Sequence, residues 1–354
     1  MSVKIANFDI SCESKTFIIA ELSANHNHDL NVALETIKAA KDVGADAIKL
    51  QTYTADTLTL DCNSDLFKVK HGTVWDGETL HSLYQQAHTP WEWHQELIEY
   101  ANSLGLICFS SPFDFSSVDF LEELNVPAYK IASPELMDIP LIDYVARKGK
   151  PVIMSTGLAS LADIELAVDT CRAAGNEQII LLKCTSAYPT PLDEVDLLTI
   201  PNIKTTFGVE VGLSDHTLGD VVAGAAVALG AKVVEKHFIL DKNLGGPDSS
   251  FSLDPVEFKA LVETIRNTEK ALGKVNYTLT EKMKRIRDFS RSLFVCKDVK
   301  AGEVISPENV RSVRPAHGLP TKYYPVILGR KFTRDVNFGE PLYRAMVEGE
   351  LGEL

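Results

Sequence analysis

Short apolar runs alternate with helix-like segments along most of the chain. Eight runs rich in apolar and β-branched residues predict buried parallel strands, at 17–23, 47–53, 107–112, 128–134, 152–157, 179–185, 207–214 and 233–239. Helix-like segments follow each run, at 30–43, 90–104, 115–124, 138–148, 160–174, 193–199, 219–229 and 255–272. Eight strand–helix pairs within about 270 residues predict an α/β fold, the (β/α)8 TIM barrel, with a doubly wound sheet as the alternative.

The longest predicted loop, 54–89, follows the second strand and therefore lies at the end of the barrel where active sites form. Long loops in this position often act as lids over a site. Just beyond it, Trp91 and Trp93 indicate helix packing rather than a stack on a cofactor.

The pattern changes after residue 275. Residues 276–288 are polar and basic, as in a linker or a short helix, and short β-like runs broken by turns follow them. We therefore predict a catalytic barrel domain at 1–275, a linker at 276–288 and a small separate domain at 289–354.

Composition narrows the classes of partner. The 354-residue chain is 45% hydrophobic and carries a net charge of −14, which argues against nucleic acid or an anionic membrane. No run is apolar enough to span a bilayer, and we expect no signal peptide at the N-terminus. The six cysteines lack paired short spacing, so we expect reduced thiols and a cytoplasmic location.

Two histidines follow predicted strands seven and eight. His216 ends the run GLSDH, and His237 lies in EKHF. Because neighbouring parallel strands end at one edge, the two imidazoles can share a divalent metal ion that polarises a substrate carbonyl. A structural role explains the same pattern equally well. His26 and His28 lie in a loop beside two asparagines, and loop polarity explains them as well as a metal pair does.

Other polar residues also fall at strand ends. Period-two alternation turns Lys49 and Gln51 to one face of strand two. The same end of the barrel carries Glu21, Ser110, Ser111, Lys130, Ser133, Ser155, Ser214 and Glu235. Polar side chains in an apolar barrel are costly unless they are paired or solvated, so this set predicts a pocket for an anion beside the metal. Lys183 and Lys236 are left out because we expect them to face the outer helices and pair with acids there.

Nine segments in order along the chain resemble the sialic acid synthase family. They are AELSANHN (20–27), KLQTY (49–53), FSSPFD (109–114), YKIAS (129–133), MSTG (154–157), CTSAYPTP (184–191), GLSDHT (212–217), EKHF (235–238) and GGPDSSFSLDP (245–255). The C-terminal part, with RPAHG at 314–318, resembles the antifreeze-like (SAF) domain of that family.

This resemblance implies that phosphoenolpyruvate is condensed with an amino-deoxy sugar and water. It implies that His216 and His237 bind Mn²⁺, with Mg²⁺ or Co²⁺ as alternatives, and that the metal holds the aldehyde oxygen of the open-chain sugar. Glu21 would orient or deprotonate the water that attacks C2 of the enolpyruvyl unit. The implied substrate-binding residues are Lys49, Gln51, Ser111, Lys130, Ser133, Glu135, Ser155, Ser186, Tyr188, Ser214, Asp248 and Arg314.

Variant motifs narrow the implied substrate. WDGETL (75–80), AHTPWEWH (87–94) and GGPDSSFSLDP resemble the branch that condenses 2,4-diacetamido-2,4,6-trideoxy-L-altrose to pseudaminic acid, releasing phosphate by C–O cleavage. The branches that make N-acetylneuraminate or legionaminate are the nearest alternatives, and Ser186 replaces an asparagine of the neuraminate branch. The family also implies a domain-swapped homodimer in which Arg314 clamps the N-acetyl group of the sugar in the other subunit.

Two other functions are weighed against this one. A class II aldolase, or another phosphoenolpyruvate-dependent aldol synthase, would use the same barrel. A non-catalytic protein that binds carbohydrate through its C-terminal module is the alternative outside enzymology. Glu21, Lys49 and Lys130 together with the two histidines argue against a pure binder, which needs no such set.

Overall fold

The computed structural model describes residues 2–70 and 76–353, and Trp75 of the WDGETL motif lies outside them. The chain forms two compact units, Met1–Gly273 and Lys274–Leu354. Within the described residues, none of the helices combines the length and the apolar character needed to cross a membrane.

The first unit is a closed barrel of eight parallel strands. In chain order, β1 to β8 are Phe17–Glu21, Ala47–Thr52, Ile107–Pro112, Tyr129–Ile131, Val152–Ser155, Ile179–Cys184, Glu210–Asp215 and Val233–His237. Each strand pairs with the next, and β8 also pairs with β1. The helices that follow them, α1 to α8, are Leu30–Asp42, His94–Ser103, Phe115–Glu123, Ile139–Ala146, Leu161–Ala173, Thr199–Phe207, Val221–Ala228 and Pro255–Leu272. The predicted TIM barrel is confirmed.

Apolar packing covers both faces of these strands. Every residue of β1 is buried, and only Lys183 is partly exposed in β6. Strands that are covered on both faces appear in a sequence as continuous apolar runs, which is why the eight runs could be recognised. The barrel also brings the carboxyl ends of all eight strands to one rim, where active sites of this fold form.

One helix and the strand after it differ from the prediction. The helix expected at 193–199 lies at Thr199–Phe207, and β7 begins at Glu210 rather than at 207. Phe207 is buried at the end of the helix, and Gly208 ends it with a φ of 67°, in the left-handed region. Proline, asparagine and three threonines lower the helix propensity of this segment, and burial of its apolar face outweighs that signal.

Short α-helices occur in the described part of the predicted long loop, residues 54–70 and 76–89. They are Ala55–Leu58 and Leu80–Ala87. The side chain of Thr79 caps the second helix by accepting a hydrogen bond from the backbone N–H of Ser82. The segment after β2 is therefore built partly from regular structure, which can place its side chains reproducibly.

A hairpin that the apolar pattern did not reveal precedes the barrel. Val3–Ile5 and Phe8–Ile10 pair in antiparallel fashion, and an isoleucine of each strand is fully buried. Phe8 packs on Phe17, the first residue of β1, with ring centroids 4.7 Å apart. The hairpin therefore covers the amino-terminal end of the barrel, opposite the rim that carries the polar residues.

The second unit has a small core of its own. Helix Glu281–Arg287 lies within the range predicted as a linker or short helix. Strands Ser292–Val295 and Val310–Val313 pair in antiparallel fashion, and a four-residue helix follows at Tyr324–Ile327. Its buried cluster includes Leu293, Val295, Val310, Ile327, Phe332, Val336 and Leu342.

Gly212 occupies a tight point between β7 and β8. A Cβ at this position would lie 2.3 Å from the backbone oxygen of Val233. We expect Gly212→Ala to lower the free energy of unfolding of the barrel by about 1–3 kcal/mol, the usual cost of overpacking a core. Chemical denaturation followed by circular dichroism measures this change.

The control is Leu213→Met in the same strand, which conserves side-chain volume and should cost less than about 1.5 kcal/mol. An unchanged denaturation midpoint for Gly212→Ala would contradict the close approach of the two strands.

Candidate active site

Polar residues from the first, second and eighth strands meet at the carboxyl-terminal rim. His237 at the end of β8 lies beside Glu21 at the end of β1, and Glu21 in turn lies beside Lys49 of β2. Closure of the barrel therefore brings together residues from the beginning and the end of the sequence of the first unit.

Four buried charges form the centre of this rim. The Lys49 ammonium makes an ion pair with Glu21 and lies 3.8 Å from Glu235 Oε1. The Lys130 ammonium lies 3.6 Å from the same oxygen of Glu235. None of the four side chains is more than 8% exposed. We call this set the charge quartet: two carboxylates balance two ammonium groups where little water can reach them.

Burial shifts the protonation of the quartet in different directions. It raises the pKa of Glu21 to about 7, although Lys49 opposes the rise. It also lowers the pKa of Lys130, in spite of Glu235 nearby. Burial alone would lower the pKa of Lys49, but the two carboxylates hold it above its usual value. Burial alone would raise the pKa of Glu235, but the two lysines hold it below its usual value. Glu21 is thus the carboxylate of the quartet that takes up a proton more readily.

Serine side chains continue the rim beside the quartet. Ser111 Oγ accepts a hydrogen bond of 3.2 Å from Lys49 Nζ, and Ser133 Oγ accepts one of 2.9 Å from the backbone N–H of Leu158. The buried hydroxyl of Ser155 has no hydrogen-bond partner in the described part of the chain. A buried hydroxyl without a partner is unusual in a protein, so Ser155 is suited to bind a ligand.

Gly157 gives these side chains room to approach one another. A Cβ at this position would lie 2.5 Å from Ser186 Oγ and 2.9 Å from both Cys184 Sγ and Ser133 Oγ. The MSTG motif therefore contributes space as well as a hydroxyl group, because any larger residue would push the two serines apart.

His216 and His237 lie side by side next to the quartet, with ring centroids 5.4 Å apart. Burial lowers the pKa of both residues, which keeps the imidazoles in the neutral form that binds metals. His216 Nδ1 lies 3.1 Å from the carbonyl oxygen of Thr185, so it donates there and leaves Nε2 free. Nδ1 of His237 makes no hydrogen bond with any described residue.

The histidine pair fits one divalent ion with an open coordination shell. Across residues 2–70 and 76–353, no three side chains of the His, Cys, Asp and Glu types are grouped so that they could hold a metal. Water or substrate oxygens would have to complete the shell, as they do in catalytic rather than structural sites.

A cavity of 380 Å³ adjoins His237. Asp248 lines it, accepts a hydrogen bond from the Ser23 hydroxyl and lies 3.9 Å from His237 Nδ1. Tyr188 and Phe251 pack their rings on the imidazoles, the Phe251 ring at 5.0 Å from that of His237. The other lining residues are Ser23, Ala24, Gln51, Tyr53, Val69, Leu80, Leu83, Tyr84, Ala87 and Pro247. The cavity is therefore polar on one part of its wall and apolar on the rest.

Most of the residues predicted for the site share this rim. On the strands, or in the turns directly after them, lie Glu21, Lys49, Ser111, Lys130, Ser133, Ser155, Ser186, Ser214, His216 and His237. Gln51, Tyr188 and Asp248 line the cavity. Ser214 Oγ lies 3.5 Å from Glu235 Oε1, and Ser186 Oγ lies 3.9 Å from Cys184 Sγ.

Two predicted residues remain. Glu135 lies in the short helix Pro134–Met137, directly after Ser133. Burial raises its pKa to about 7, and the positive charges of Lys130 and Lys49 oppose the rise, which places Glu135 near the quartet. One of its carboxylate oxygens is buried without a hydrogen-bond partner among the described residues. Arg314 belongs to the second unit and directly follows strand Val310–Val313.

Glu235 was placed at the predicted rim but given no catalytic, substrate-binding or metal-binding role. The signal was present, because period-two alternation on the eighth strand places Glu235 on the same face as His237. A carboxylate is unfavourable beside an anion site unless it compensates cations. Only the structure shows that the ammonium groups of Lys49 and Lys130 both lie within 4 Å of it.

The two lysines that were left out of the site have structural partners. Lys236 forms a fully buried ion pair of 2.8 Å with Asp215. Its partner is thus an acid of the neighbouring strand and not, as expected, of an outer helix, because β7 and β8 lie in register at these residues. Lys183 Nζ donates to the carbonyl oxygen of Cys184 at 2.9 Å.

The loop histidine and the tryptophans also have structural roles. His26 is buried, and its Nε2 lies 3.1 Å from Thr89 Oγ1. Trp91 stacks on Phe120 with ring centroids 4.7 Å apart, which confirms the packing role predicted for it. Trp93 packs edge-on against His26.

Known proteins share this sequence over nearly its whole length. Pseudaminic acid synthase from Campylobacter jejuni subsp. jejuni serotype O:23/36 (strain 81-176) is 48% identical over 340 residues, 96% of this chain and 98% of that protein. N,N'-diacetyllegionaminic acid synthase from C. jejuni subsp. jejuni serotype O:2 is 39% identical over 325 residues, 91% of this chain and 97% of that protein.

A solved structure shares the fold. The crystal structure of N-acetylneuraminic acid (sialic acid) synthetase from Leptospira borgpetersenii serovar Hardjo-bovis, in complex with citrate, matches with a TM-score of 0.72 and 30% identity. The match covers 81% of this chain and 95% of that one.

Models of two families match consecutive parts of the chain. The NeuB family model matches residues 36–277, and the SAF domain model matches residues 290–348. Together with the relatives, these matches confirm the resemblance drawn from the motifs. The chain therefore belongs to the NeuB family, the sialic acid synthase family that its motifs indicated, and carries a SAF domain near its C-terminal end.

Proposed function

We propose that this protein condenses phosphoenolpyruvate with 2,4-diacetamido-2,4,6-trideoxy-L-altrose and water to give pseudaminic acid and phosphate. The observation that carries the proposal is the common rim on which the charge quartet, the serines and two neutral imidazoles lie together. The greater identity to a pseudaminic acid synthase, 48% against 39% for a legionaminic acid synthase, supports the choice of sugar.

The lysines and serines of the rim are the proposed phosphoenolpyruvate site. Lys49 and Lys130 supply compact positive charges, and Ser111, Ser133 and Ser155 supply directional hydrogen-bond donors for phosphate and carboxylate oxygens. The partnerless hydroxyl of Ser155 fits such a role. An incoming anion would take over part of the compensation that Glu21 and Glu235 provide in the free protein.

His216 and His237 are the proposed metal ligands, with Mn²⁺ as the metal we expect and Mg²⁺ or Co²⁺ as alternatives. When bound, such an ion polarises the aldehyde carbonyl of the sugar. Asp248, with Ser23 fixing its carboxylate, helps to position the sugar or a water molecule in the adjoining cavity. Gln51 and Tyr188 line the same cavity and are assigned to the sugar.

In the proposed reaction, C3 of phosphoenolpyruvate forms a bond to the aldehyde carbon, and water then adds to C2. The tetrahedral centre at C2 loses phosphate by cleavage of its C–O bond. Glu21 is the proposed base that orients this water and accepts its proton, for which a pKa of about 7 is well suited. Holding both substrates in line contributes much of the rate, on the order of 7–11 kcal/mol in favourable models.

We further propose that the protein works in the cytoplasm as a domain-swapped homodimer. All six cysteines are free, which fits a reducing compartment. Several apolar side chains are exposed in the turns and first helical residues that follow the strands, among them Leu158, Leu192, Leu218 and Val221. A second chain would bury such residues, and Arg314 from that chain would then clamp an acetamido group of the sugar.

A phosphate-release assay tests the substrate assignment. With phosphoenolpyruvate and Mn²⁺, we expect kcat/KM for 2,4-diacetamido-2,4,6-trideoxy-L-altrose to exceed that for N-acetylmannosamine and for the legionaminate precursor by at least about tenfold, because pocket contacts usually discriminate by about 10–200-fold. A preference for N-acetylmannosamine would refute the assignment. Condensation of the sugar with pyruvate in place of phosphoenolpyruvate, with no phosphate released, would point to an aldolase. Binding of sugar without turnover would point to a carbohydrate-binding protein.

His237→Ala tests the metal assignment. We expect phosphate release to fall at least about 100-fold, or about 2.7 kcal/mol of activation free energy, because one of two metal ligands is lost. Calorimetric titration should show Mn²⁺ binding by the wild type and its loss in the variant.

The matched control is His88→Ala, since His88 lies in the loop and does not line the cavity. Unchanged circular dichroism shows that the fold survives. Turnover near the wild-type level in His237→Ala would rule out the proposed metal site.

Glu235→Gln tests charge compensation. Removing this carboxylate leaves two buried lysines with one partner, so we expect a loss of about 3–5 kcal/mol in the free energy of unfolding. Phosphoenolpyruvate brings the missing negative charge, and it should therefore raise the melting temperature more in the variant than in the wild type.

Glu210→Gln is the control, because Glu210 is a buried carboxylate that pairs with Lys204 at 3.0 Å at the start of β7, away from the rim. If phosphoenolpyruvate raises the melting temperature of Glu235→Gln no more than that of the wild type, Glu235 does not have the proposed compensating role.

A further inference from the structure

The helix Leu80–Ala87 turns one face towards the cavity. Four of its side chains line the cavity and follow the helical spacing i, i+3, i+4 and i+7; they are Leu80, Leu83, Tyr84 and Ala87. We call them the apolar stripe. The other face carries polar residues, of which Ser82, Gln85 and Gln86 are exposed. An amphipathic helix normally buries such a stripe in a core, whereas this stripe borders a 380 Å³ space shared with His237 and Asp248.

Several contacts hold the helix in this orientation. The rings of Tyr84 and Tyr53 pack edge-on at 5.8 Å, and Tyr53 directly follows β2. On the other face, His81 Nε2 lies 3.0 Å from Asp56 Oδ1 in the short helix before it. The apolar stripe is thus fixed relative to the barrel, as a specificity wall must be.

We propose that the apolar stripe selects the sugar substrate by packing against its methyl groups. This inference rests on the proposed function. The sugar assigned there carries a methyl group at C6 and two acetamido methyl groups, whereas N-acetylmannosamine carries hydroxyl groups at C4 and C6. No side chain of the stripe other than Tyr84 can form a hydrogen bond, so a hydroxyl group placed against it loses its water without gaining a partner.

The chemistry sets the size of the effect. Burial of a methyl or methylene group in an apolar pocket usually discriminates by about 10–200-fold, and an added hydroxyl group is disfavoured by about 100-fold. The charge quartet and the metal ligands contact groups that every substrate of this class shares. Discrimination between sugars therefore falls to the parts of the cavity wall that meet the variable substituents.

Leu83→Asn tests the inference in the full-length protein. We measure kcat/KM in the phosphate-release assay for 2,4-diacetamido-2,4,6-trideoxy-L-altrose and for N-acetylmannosamine, and take the ratio. The ratio should fall about 10–100-fold, while the KM for phosphoenolpyruvate stays within about twofold. Leu83→Met retains an apolar side chain of similar volume and should keep most of the preference.

Gln85→Asn on the exposed face of the same helix is the matched control and should leave the ratio unchanged. A second variant, Leu80→Asn, guards against a local defect at position 83. If neither leucine variant changes the ratio, or if the KM for phosphoenolpyruvate rises in parallel, the apolar stripe does not select the sugar.

Calorimetric binding of the trideoxy sugar separates this inference from the proposed function. Weaker binding by Leu83→Asn than by the wild type supports the apolar stripe even where no phosphate is released, and equal binding overturns it. A wild type that binds the sugar but releases no phosphate contradicts only the proposed function. A wild type that does neither contradicts both.

Discussion

The site depends on the compensation of two buried ammonium groups by two carboxylates. Removing charges from water costs several kcal/mol for each ion unless partners lie close by. Lys49 lies within β2 and Lys130 within β4, and both find their carboxylate partners on other strands. Their partners come from β1 and β8, which are adjacent only because the barrel closes. Closure of the fold and assembly of the site are therefore the same event.

This compensation also bears on the proposed binding of an anion by an acidic protein. The strand-end residues predicted an anion pocket, but the quartet carries two charges of each sign. In the proposed function, the anion would therefore replace contacts that the carboxylates make in the free protein. Partial release from Lys49 would leave the Glu21 carboxylate available as the proposed base for the attacking water.

Features fixed by backbone regularity could be predicted from the sequence, and features fixed by packing between distant segments could not. Buried strands and their alternation predicted the barrel and placed Lys49, His216 and His237 at one rim. Glu235 was placed at the rim but given no role, because its compensation of Lys49 and Lys130 depends on distances to two other strands. The helix Thr199–Phe207 was misplaced because burial outweighed its weak propensity.

The division between strand ends and loops has a consequence for substrate choice. Residues of the quartet are bound to one another by charge, so a change in any one leaves an uncompensated ion. A change in the helix Leu80–Ala87 leaves no uncompensated ion, because apolar side chains that line a cavity can be exchanged at small cost to the fold. In a barrel, loops of this kind vary while the strand ends stay fixed. We therefore assign selection of the sugar to the apolar stripe, and the chemistry common to all substrates to the residues of the strands.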